Sequence, residues 1–253
     1  MAYCSFVLFV AFCLVVGATQ NGNGGAELRP NPRILRGQVA ALGQFPYQVS
    51  VRLNKEHICG GALLSRTFVV TAAHCVYNVD ERELLGVQAG TVSRADGGKF
   101  SAVSNVIIHP KFGFDNDIAL LELETPFEYS ETIQPIAFNT WQVPVGESVV
   151  ISGWGRLQEG GGLSNRLLYS RALYTLADVE CAQASGSNNS TILCLYGPQG
   201  YGFCDGDDGG PAVYKNVLVG IASYQVKACG TPTKGGFTKV AAYSNWLKAI
   251  MFG

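Results

Sequence analysis

Short apolar segments, separated by turn-forming Gly, Asn, Asp and Pro residues, recur along the chain from Ile34 onward. They are about four to eight residues long, rich in Val and Ile, and alternate only partly between apolar and polar positions. The clearest of them span residues 47–53, 67–70, 118–123, 148–151 and 217–221. Such segments are typical of short β-strands, whereas Trp246, Leu247 and Ile250 recur at helical spacing within the terminal segment 243–251. The pattern predicts an all-β fold that ends in a helix.

The N-terminal residues 1–18 form an uninterrupted apolar block that ends in small residues. Such a block is typical of a secretory signal peptide, which is removed from the mature protein. A membrane anchor is the alternative, which the shortness of the block disfavours. Residues 19–33 are polar and contain Asn-Gly pairs and prolines, so we interpret them as a pro-segment. The sequence thus predicts a secreted, extracellular protein.

Composition excludes several classes of function. The chain has 253 residues, of which 47% are hydrophobic and 15% charged, so it can bury a large core. Its formal net charge is −1, and it contains no run of Lys or Arg. A nucleic acid or an anionic membrane surface is therefore not expected as a partner.

The cysteines fit a secreted protein. Cys4 and Cys13 lie in the predicted signal peptide, and the rest of the chain contains Cys59, Cys75, Cys181, Cys194, Cys204 and Cys229. An even number in a secreted chain predicts disulfide bonds, although the sequence alone leaves their pairing open. Cys and His residues do not cluster at metal-ligand spacing, so neither a metal nor another cofactor is expected.

Three motifs contain residues that could act in catalysis. They are Thr-Ala-Ala-His-Cys at 71–75, Asp-Asn-Asp-Ile-Ala-Leu-Leu at 115–121, and Cys-Asp-Gly-Asp-Asp-Gly-Gly-Pro at 204–211. The order of a His, an Asp and then a glycine-rich loop is the order used by the chymotrypsin branch of triad hydrolases.

Further segments also match motifs of proteins with this order of residues. They lie at 33–37, 43–51, 59–63, 152–155 and 245–247. With them, the chain from Ile34 to Gly253 resembles the trypsin-like serine protease family. The resemblance implies a monomer with one domain over 34–253, built from two six-stranded antiparallel β-barrels and a C-terminal α-helix, with a boundary near 138–145. It also implies three disulfide bonds, Cys59–Cys75, Cys181–Cys194 and Cys204–Cys229.

The resemblance also assigns the catalytic positions. In such a site a His takes a proton from a serine hydroxyl, a buried carboxylate orients the His, and backbone N–H groups bind the oxyanion. Here His74 matches the base and Asp117 the orienting acid, while Gly206 and Asp208 take the oxyanion-hole positions. The remaining histidines, at 57 and 109, match no catalytic position and are expected to pack in the structure.

The nucleophile position holds Asp208, since the family motif Gly-Asp-Ser-Gly-Gly-Pro is Gly-Asp-Asp-Gly-Gly-Pro at 206–211. A carboxylate attacking a peptide would form a mixed anhydride, which is less stable than the amide. We therefore expect that the chain is not an enzyme but a secreted homologue that binds an extracellular protein partner, which could be a protease, a zymogen or a cascade component. The flanking carboxylates of Asp117 and Asp208 are expected to hold His74 cationic and to be held ionised by it.

Two alternatives remain open. One is an active serine-type endopeptidase, which requires that Asp208 is an artefact or an engineered substitution for Ser, or that it activates water. The other is a carrier that binds a small ligand in the cleft.

The resemblance assigns a specificity pocket to Gly202, Phe203, Ser223, Tyr224, Gln225 and Gly235. Gly202 falls at the pocket floor, where no acid is present to bind Arg or Lys. Phe203 and Gln225 are large for their positions and predict a narrowed pocket, although a small apolar pocket could survive.

Activation and modification sites are also implied. Cleavage after Arg33 would free the amine of Ile34, which in the family pairs with the acid at position Asp207. Asn188 and Asn189 begin two overlapping glycosylation sequons, so a glycoprotein is expected. The acidic residues at 205, 207 and 208 do not have the spacing of a calcium-binding loop, so no metal is assigned to them.

Overall fold

The computed structural model describes residues 37–113, 115–186, 190–225, 229 and 234–253. The predicted signal peptide and pro-segment, the activation residues Arg33 and Ile34, and the sequon residues Asn188 and Asn189 lie outside the described residues. These assignments stay predictions.

The first barrel follows a two-residue strand, β1 (Gln38–Val39). Its strands are β2 (Gln48–Leu53), β3 (Glu56–Leu63), β4 (Phe68–Thr71), β5 (Leu85–Ala89), β6 (Lys99–Ile108) and β7 (Ala119–Leu123). They pair in the closed order β2-β3-β4-β7-β6-β5, and every pairing is antiparallel. Short 3₁₀ helices at Ala73–Cys75 and Arg82–Leu84 interrupt the connections.

The second barrel is formed by β8 (Ser148–Gly153), β9 (Leu168–Thr175), β10 (Ile192–Tyr196), β11 (Pro211–Tyr214), β12 (Val217–Gln225) and β13 (Lys234–Lys239). These strands pair in the order β9-β10-β13-β12-β11-β8, and pairing of β8 with β9 closes the barrel. The predicted fold of two closed six-stranded antiparallel barrels is confirmed. The predicted boundary near 138–145 falls in the segment that joins β7 to β8, and its exact place stays a prediction.

Polar residues of β2 explain why its sequence alternates only partly. Val49 and Val51 point into the first barrel and are fully buried. Gln48 and Ser50 face out of this barrel, but they are buried as well. The hydroxyl of Ser152 on β8 donates a 2.6 Å hydrogen bond to the side chain of Gln48. The second barrel therefore contacts the outer face of β2 and pairs with Gln48, whereas the Ser50 hydroxyl is bonded to His57 within the first barrel.

Two α-helices complete the fold. The C-terminal helix α2 (Ser244–Phe252) begins within one residue of its predicted start, after a 3₁₀ helix at Val240–Tyr243. Leu247 is fully buried in the core cluster of the first barrel, so α2 packs against that barrel. Of the helices that the structure describes, none is long and apolar enough to cross a membrane.

The other helix, α1 (Asp178–Ser185), was not predicted, because its sequence has no apolar face. Contacts with its surroundings hold it in place. Cys181 forms a disulfide bond with Cys194 on β10. The Asp178 carboxylate forms a 2.9 Å ion pair with the Lys239 ammonium. Gly186 ends the helix in the left-handed conformation, with φ of 68°.

Disulfide bonds also link Cys59 to Cys75 and Cys204 to Cys229. Together with the bond that holds α1, these are the three pairs implied by the resemblance.

Candidate active site

His74 and Asp117 meet between the two barrels. His74 lies in the 3₁₀ helix that follows β4, and Asp117 lies two residues before β7, which pairs with β4. The Nδ1 atom of His74 is 2.7 Å from Oδ2 of Asp117, and its backbone N–H donates a 2.8 Å bond to Oδ1. The Ser223 hydroxyl donates a further 2.6 Å bond to Oδ2 of Asp117. The buried carboxylate thus fixes the orientation of the imidazole ring.

Charge and hydrogen bonding set the protonation of this pair. Burial alone would lower the pKa of His74, but the hydrogen bond and charge of Asp117, with the charge of Asp208, raise it. Burial alone would raise the pKa of Asp117, but the hydrogen bond and charge of His74 and the bond from Ser223 lower it. Asp117 is therefore an anion that keeps a proton on Nδ1, and Nε2 lies on the side of Asp208.

Asp208 lies on the other side of the imidazole ring. Its Oδ2 atom is 4.0 Å from Nε2 of His74, which is too long for a direct hydrogen bond. Its backbone oxygen accepts a 2.7 Å bond from Gly60 on β3, so the loop at 204–210 is attached to the first barrel.

The pKa of Asp208 is raised to about 7, chiefly by burial, and the attraction of His74 does not outweigh this effect. The neighbouring carboxylates at 205, 207 and 117 raise it further. Asp117 is therefore held ionised, as expected, whereas Asp208 is only partly ionised near pH 7.

A second histidine holds the glycine-rich loop. The Nε2 atom of His57 is 2.9 Å from the backbone oxygen of Gly206, and its Nδ1 is 2.8 Å from the Ser50 hydroxyl. Burial lowers the pKa of His57 to about 4, so the ring is neutral near pH 7. A carbonyl can only accept, so Nε2 donates to Gly206 and Nδ1 accepts from Ser50. Sequence reasoning gave His57 only a packing role and missed this contact with a predicted oxyanion-hole residue.

His109, by contrast, packs against aromatic rings as expected. Its ring centroid lies 5.1 Å from those of Tyr243 and Trp246. Its Nδ1 atom accepts a 3.3 Å bond from the backbone of Lys111.

Asp207 is buried beneath the loop. Its carboxylate accepts hydrogen bonds from the backbone N–H groups of Gly155 at 2.7 Å and Cys204 at 3.0 Å. Burial raises its pKa to about 6 in spite of these bonds. No cation pairs with it among the residues that the structure describes. Its predicted partner, the amine of Ile34, lies outside that part of the chain, so this ion pair stays a prediction.

The residues assigned to the specificity pocket come together, but their side chains fill the space. Phe203 is only 4% exposed, and its ring centroid lies 4.9 Å from that of Phe237. Gln225 donates a 2.6 Å bond from Nε2 to the Phe203 oxygen. A Cβ atom on Gly235 would lie 2.6 Å from the Phe203 ring, so the ring uses the space that this glycine leaves. The remaining cavity, which Gly202 also lines, is about 10 Å³, which admits about one water.

An open cleft of about 390 Å³ remains beside the catalytic pair. His74, Asp117 and Ser223 form its polar side, whereas Phe112 and Tyr224 form its apolar side. A ligand can therefore reach the His74 side chain although the assigned specificity pocket is filled.

The described residues contain two clusters that could approach a metal ion, and each includes a disulfide-bonded pair. They are Cys59 and Cys75 with His74, and Cys204 and Cys229 with Glu159. Because a metal is bound by thiolates and not by disulfide sulfur, we assign no metal to either cluster.

Comparisons with known proteins agree with this geometry. The family model described as Trypsin matches residues 34–247. Serine protease SP24D of Anopheles gambiae is 40% identical over 99% of this chain and 94% of its own length. A trypsin of Phaedon cochleariae is 33% identical over 87% of this chain and 89% of its own. The vitellin-degrading protease of Bombyx mori is 33% identical over 85% of this chain and 84% of its own length.

A solved structure is also similar. Neuropsin, a serine protease expressed in the limbic system of mouse brain, is 27% identical, with a TM-score of 0.78. The match covers 85% of this chain and 98% of neuropsin.

These matches correct the expectation that the chain is not an enzyme. Proteins that match it over most of both chains are named as proteases, and the family match includes His74, Asp117 and Asp208. The chain belongs to the trypsin family of serine proteases.

Proposed function

We propose that this chain is a secreted peptidase that binds segments of extracellular proteins in the cleft beside His74 and cleaves them slowly, with water as the nucleophile. The observation that carries the proposal is the 4.0 Å separation between Nε2 of His74 and Oδ2 of Asp208. A water molecule about 2.8 Å from each atom can bridge such a gap. It would occupy the place where the family uses a serine hydroxyl.

The proposed reaction needs only the groups already described. His74 takes a proton from the water through Nε2, and the water oxygen forms a bond to the peptide carbonyl carbon. The carbonyl oxygen becomes an anion beside the backbone N–H groups of Gly206 and Asp208. The C–N bond then breaks, and His74 returns its proton to the leaving amine. The products are a carboxylic acid and an amine, and no acyl-enzyme forms.

The rate should be far below that of a complete triad. Triad enzymes that lack a member retain a rate about 10³–10⁴ above that in water. When Asp208 is ionised, it also repels the oxyanion, by about 4 kcal/mol at 4 Å and an effective dielectric of 20. With so slow a chemical step, a bound protein would usually dissociate uncut.

Binding that usually leaves the partner uncut suits a regulatory role. We therefore propose that the chain acts as a monomer on an extracellular protein partner, which could be a protease, a zymogen or a cascade component. Its relatives that are named as proteases support cleavage as the underlying activity. Because Phe203 fills the assigned specificity pocket, the apolar wall of Phe112 and Tyr224 should select the bound segment.

The test is hydrolysis of a denatured protein by the purified chain after cleavage at Arg33, followed by mass spectrometry of the fragments. We expect slow cleavage that is lost in His74→Ala and kept in His109→Ala, which serves as the matched histidine control. We also expect no labelling by a serine-directed acylating reagent. Equal fragment yields from the wild type and His74→Ala would refute the proposal, and so would rapid turnover with stoichiometric labelling.

A further inference from the structure

A second cavity, of about 560 Å³, lies between the barrels and shares no lining residue with the cleft beside His74. We call it the inter-barrel groove. One side is formed by Val213 of β11 and Val150 of β8, which pair directly, and by Arg171 of β9. The other side is formed by segments 44–47 and 135–137. Its volume lies within the range of small-ligand sites in proteins.

The charged residues of the groove all have one sign. Arg171 and Lys215 line it, and no Asp or Glu is among its lining residues. The Arg171 guanidinium lies 5.7 Å from the centroid of the Tyr169 ring, and the Lys215 ammonium lies 4.9 Å from that of Tyr214. Within the described part of the chain, neither cation has an acid within ion-pair distance. Lys215 is hydrogen-bonded to the side chain of Tyr214, and Glu147 acts on it from farther away.

A phenol adds a neutral donor. Tyr47 lines the groove, and burial raises its pKa, so its hydroxyl keeps its proton at physiological pH. Among the residues that the structure describes, this hydroxyl has no hydrogen-bond partner. The Arg171 charge acts on the phenol, and both residues line the groove.

The rest of the lining is mixed. Its polar residues are Gln44, Ser148 and Asn216, and its apolar residues include Phe45, Pro46, Pro135, Ile136 and Val213. An inorganic anion would leave the apolar residues without a contact, whereas a neutral apolar molecule would leave the cations and the phenol without an acceptor. A carboxylate joined to a compact apolar body satisfies both.

We propose that the inter-barrel groove binds a small organic acid, a carboxylate carried on an aromatic or branched aliphatic body. The carboxylate accepts hydrogen bonds from Arg171, Lys215 and the Tyr47 hydroxyl, and the apolar body packs against Pro46 and Ile136. This site is independent of the proposed peptidase activity, because the groove and the cleft share no residue.

The experiment is calorimetric titration of the purified full chain with 3-phenylpropanoate and with its neutral amide, 3-phenylpropanamide. We expect saturable binding of the acid and binding of the amide that is weaker by about tenfold. Arg171→Gln and Lys215→Gln should each weaken binding of the acid by about tenfold, whereas Tyr47→Phe should have a smaller effect. Arg66→Gln, at an exposed arginine outside the groove, is the matched control and should bind like the wild type.

Three results would overturn the proposal. They are absence of saturable binding of the acid, equal affinity for the acid and the amide, and unchanged affinity in both groove variants. If Arg171→Gln fails to fold, Lys215→Gln at an exposed turn and the comparison of acid with amide still decide the question.

Discussion

Gln225 donates a 2.6 Å hydrogen bond from its side-chain Nε2 atom to the backbone oxygen of Phe203. The bond joins the end of β12 to the segment that carries the Phe203 ring, so the two residues close the assigned specificity pocket together. If only one of the two side chains is removed, the other still blocks the pocket. This relationship sets the first prediction.

We expect that Asp208→Ser alone restores little peptidase activity. The change completes the triad with His74 and Asp117, but Phe203 and Gln225 still exclude a substrate side chain from the pocket. Adding Phe203→Ser and Gln225→Gly should raise kcat/KM well above that of the single variant. The measurement compares both variants on a panel of peptide amides, with the Phe203→Ser, Gln225→Gly protein that keeps Asp208 as the control. Full activity of Asp208→Ser alone would mean that substrate does not need this pocket.

The second prediction concerns the orienting acid. Asp117→Asn should reduce hydrolysis to the level of His74→Ala, because an amide NH₂ can donate to Nδ1 and favours the wrong tautomer. In triad enzymes the equivalent loss is about 10⁴ in kcat. Ser223→Ala removes one hydrogen bond to Asp117 and keeps the carboxylate, so it should retain most of the activity. Retention of activity in Asp117→Asn would show that His74 is not the base.

The third prediction is a pH dependence of stability. The folded-state pKa of Asp208 is about 7, which is above its ordinary value of 3.8, so folding favours the protonated form. The carboxylate therefore costs nothing below about pH 4, and its cost grows between about pH 4 and 7 and is constant above pH 7. Asp208→Asn removes this cost and should raise the unfolding temperature by about 5 °C at pH 8, with no change at pH 4.

Calorimetric scans of the wild type and Asp208→Asn across this pH range make the measurement. Glu128→Gln, at an exposed carboxylate outside the site, is the matched control and should show no such trend. If the difference in unfolding temperature between the wild type and Asp208→Asn did not vary with pH, Asp208 would be ionised over the whole pH range.

The fourth prediction tests the loop support. His57→Ala leaves the Gly206 carbonyl without its partner and the Ser50 hydroxyl without an acceptor, so it should destabilise the protein by about 1–3 kcal/mol. The Ser50 oxygen still accepts a bond from Arg52. The substitution should also lower hydrolysis more than the loss of folded protein explains, because Gly206 is an oxyanion-hole position. Urea unfolding and activity per folded molecule separate the two effects. Unaltered activity per folded molecule would leave His57 with a purely structural role.

The motifs that carry the family resemblance were enough to predict the catalytic pair and the pairing of the disulfide bonds. His74 and Asp117 each lie next to a buried strand in a distinctive motif, and β4 pairs with β7, so the motifs meet where the barrel brings these strands together. The short apolar segments likewise predicted strands, because burial inside a barrel requires them.

Other features depend on residues that are distant in the sequence. The raised pKa of Asp208 comes from its burial and from acids that include Asp117, none of which local spacing reveals. The inter-barrel groove combines Arg171 of β9 with Lys215 beyond β11, and only the pairing of both strands with β8 brings them near each other. Helix α1 escaped prediction because contacts with its surroundings hold it, and it has no apolar face.

Each of the three disulfide bonds that the structure describes closes within one barrel. Apart from the main chain, the barrels are therefore joined by noncovalent contacts, such as the bond between Ser152 and Gln48 and the packing of α2 on the first barrel. A single proteolytic cut in the segment between β7 and β8 would leave two fragments that stay associated under native conditions. The same fragments would separate on a denaturing gel without any reducing agent, so the gel would detect a cut that gel filtration does not.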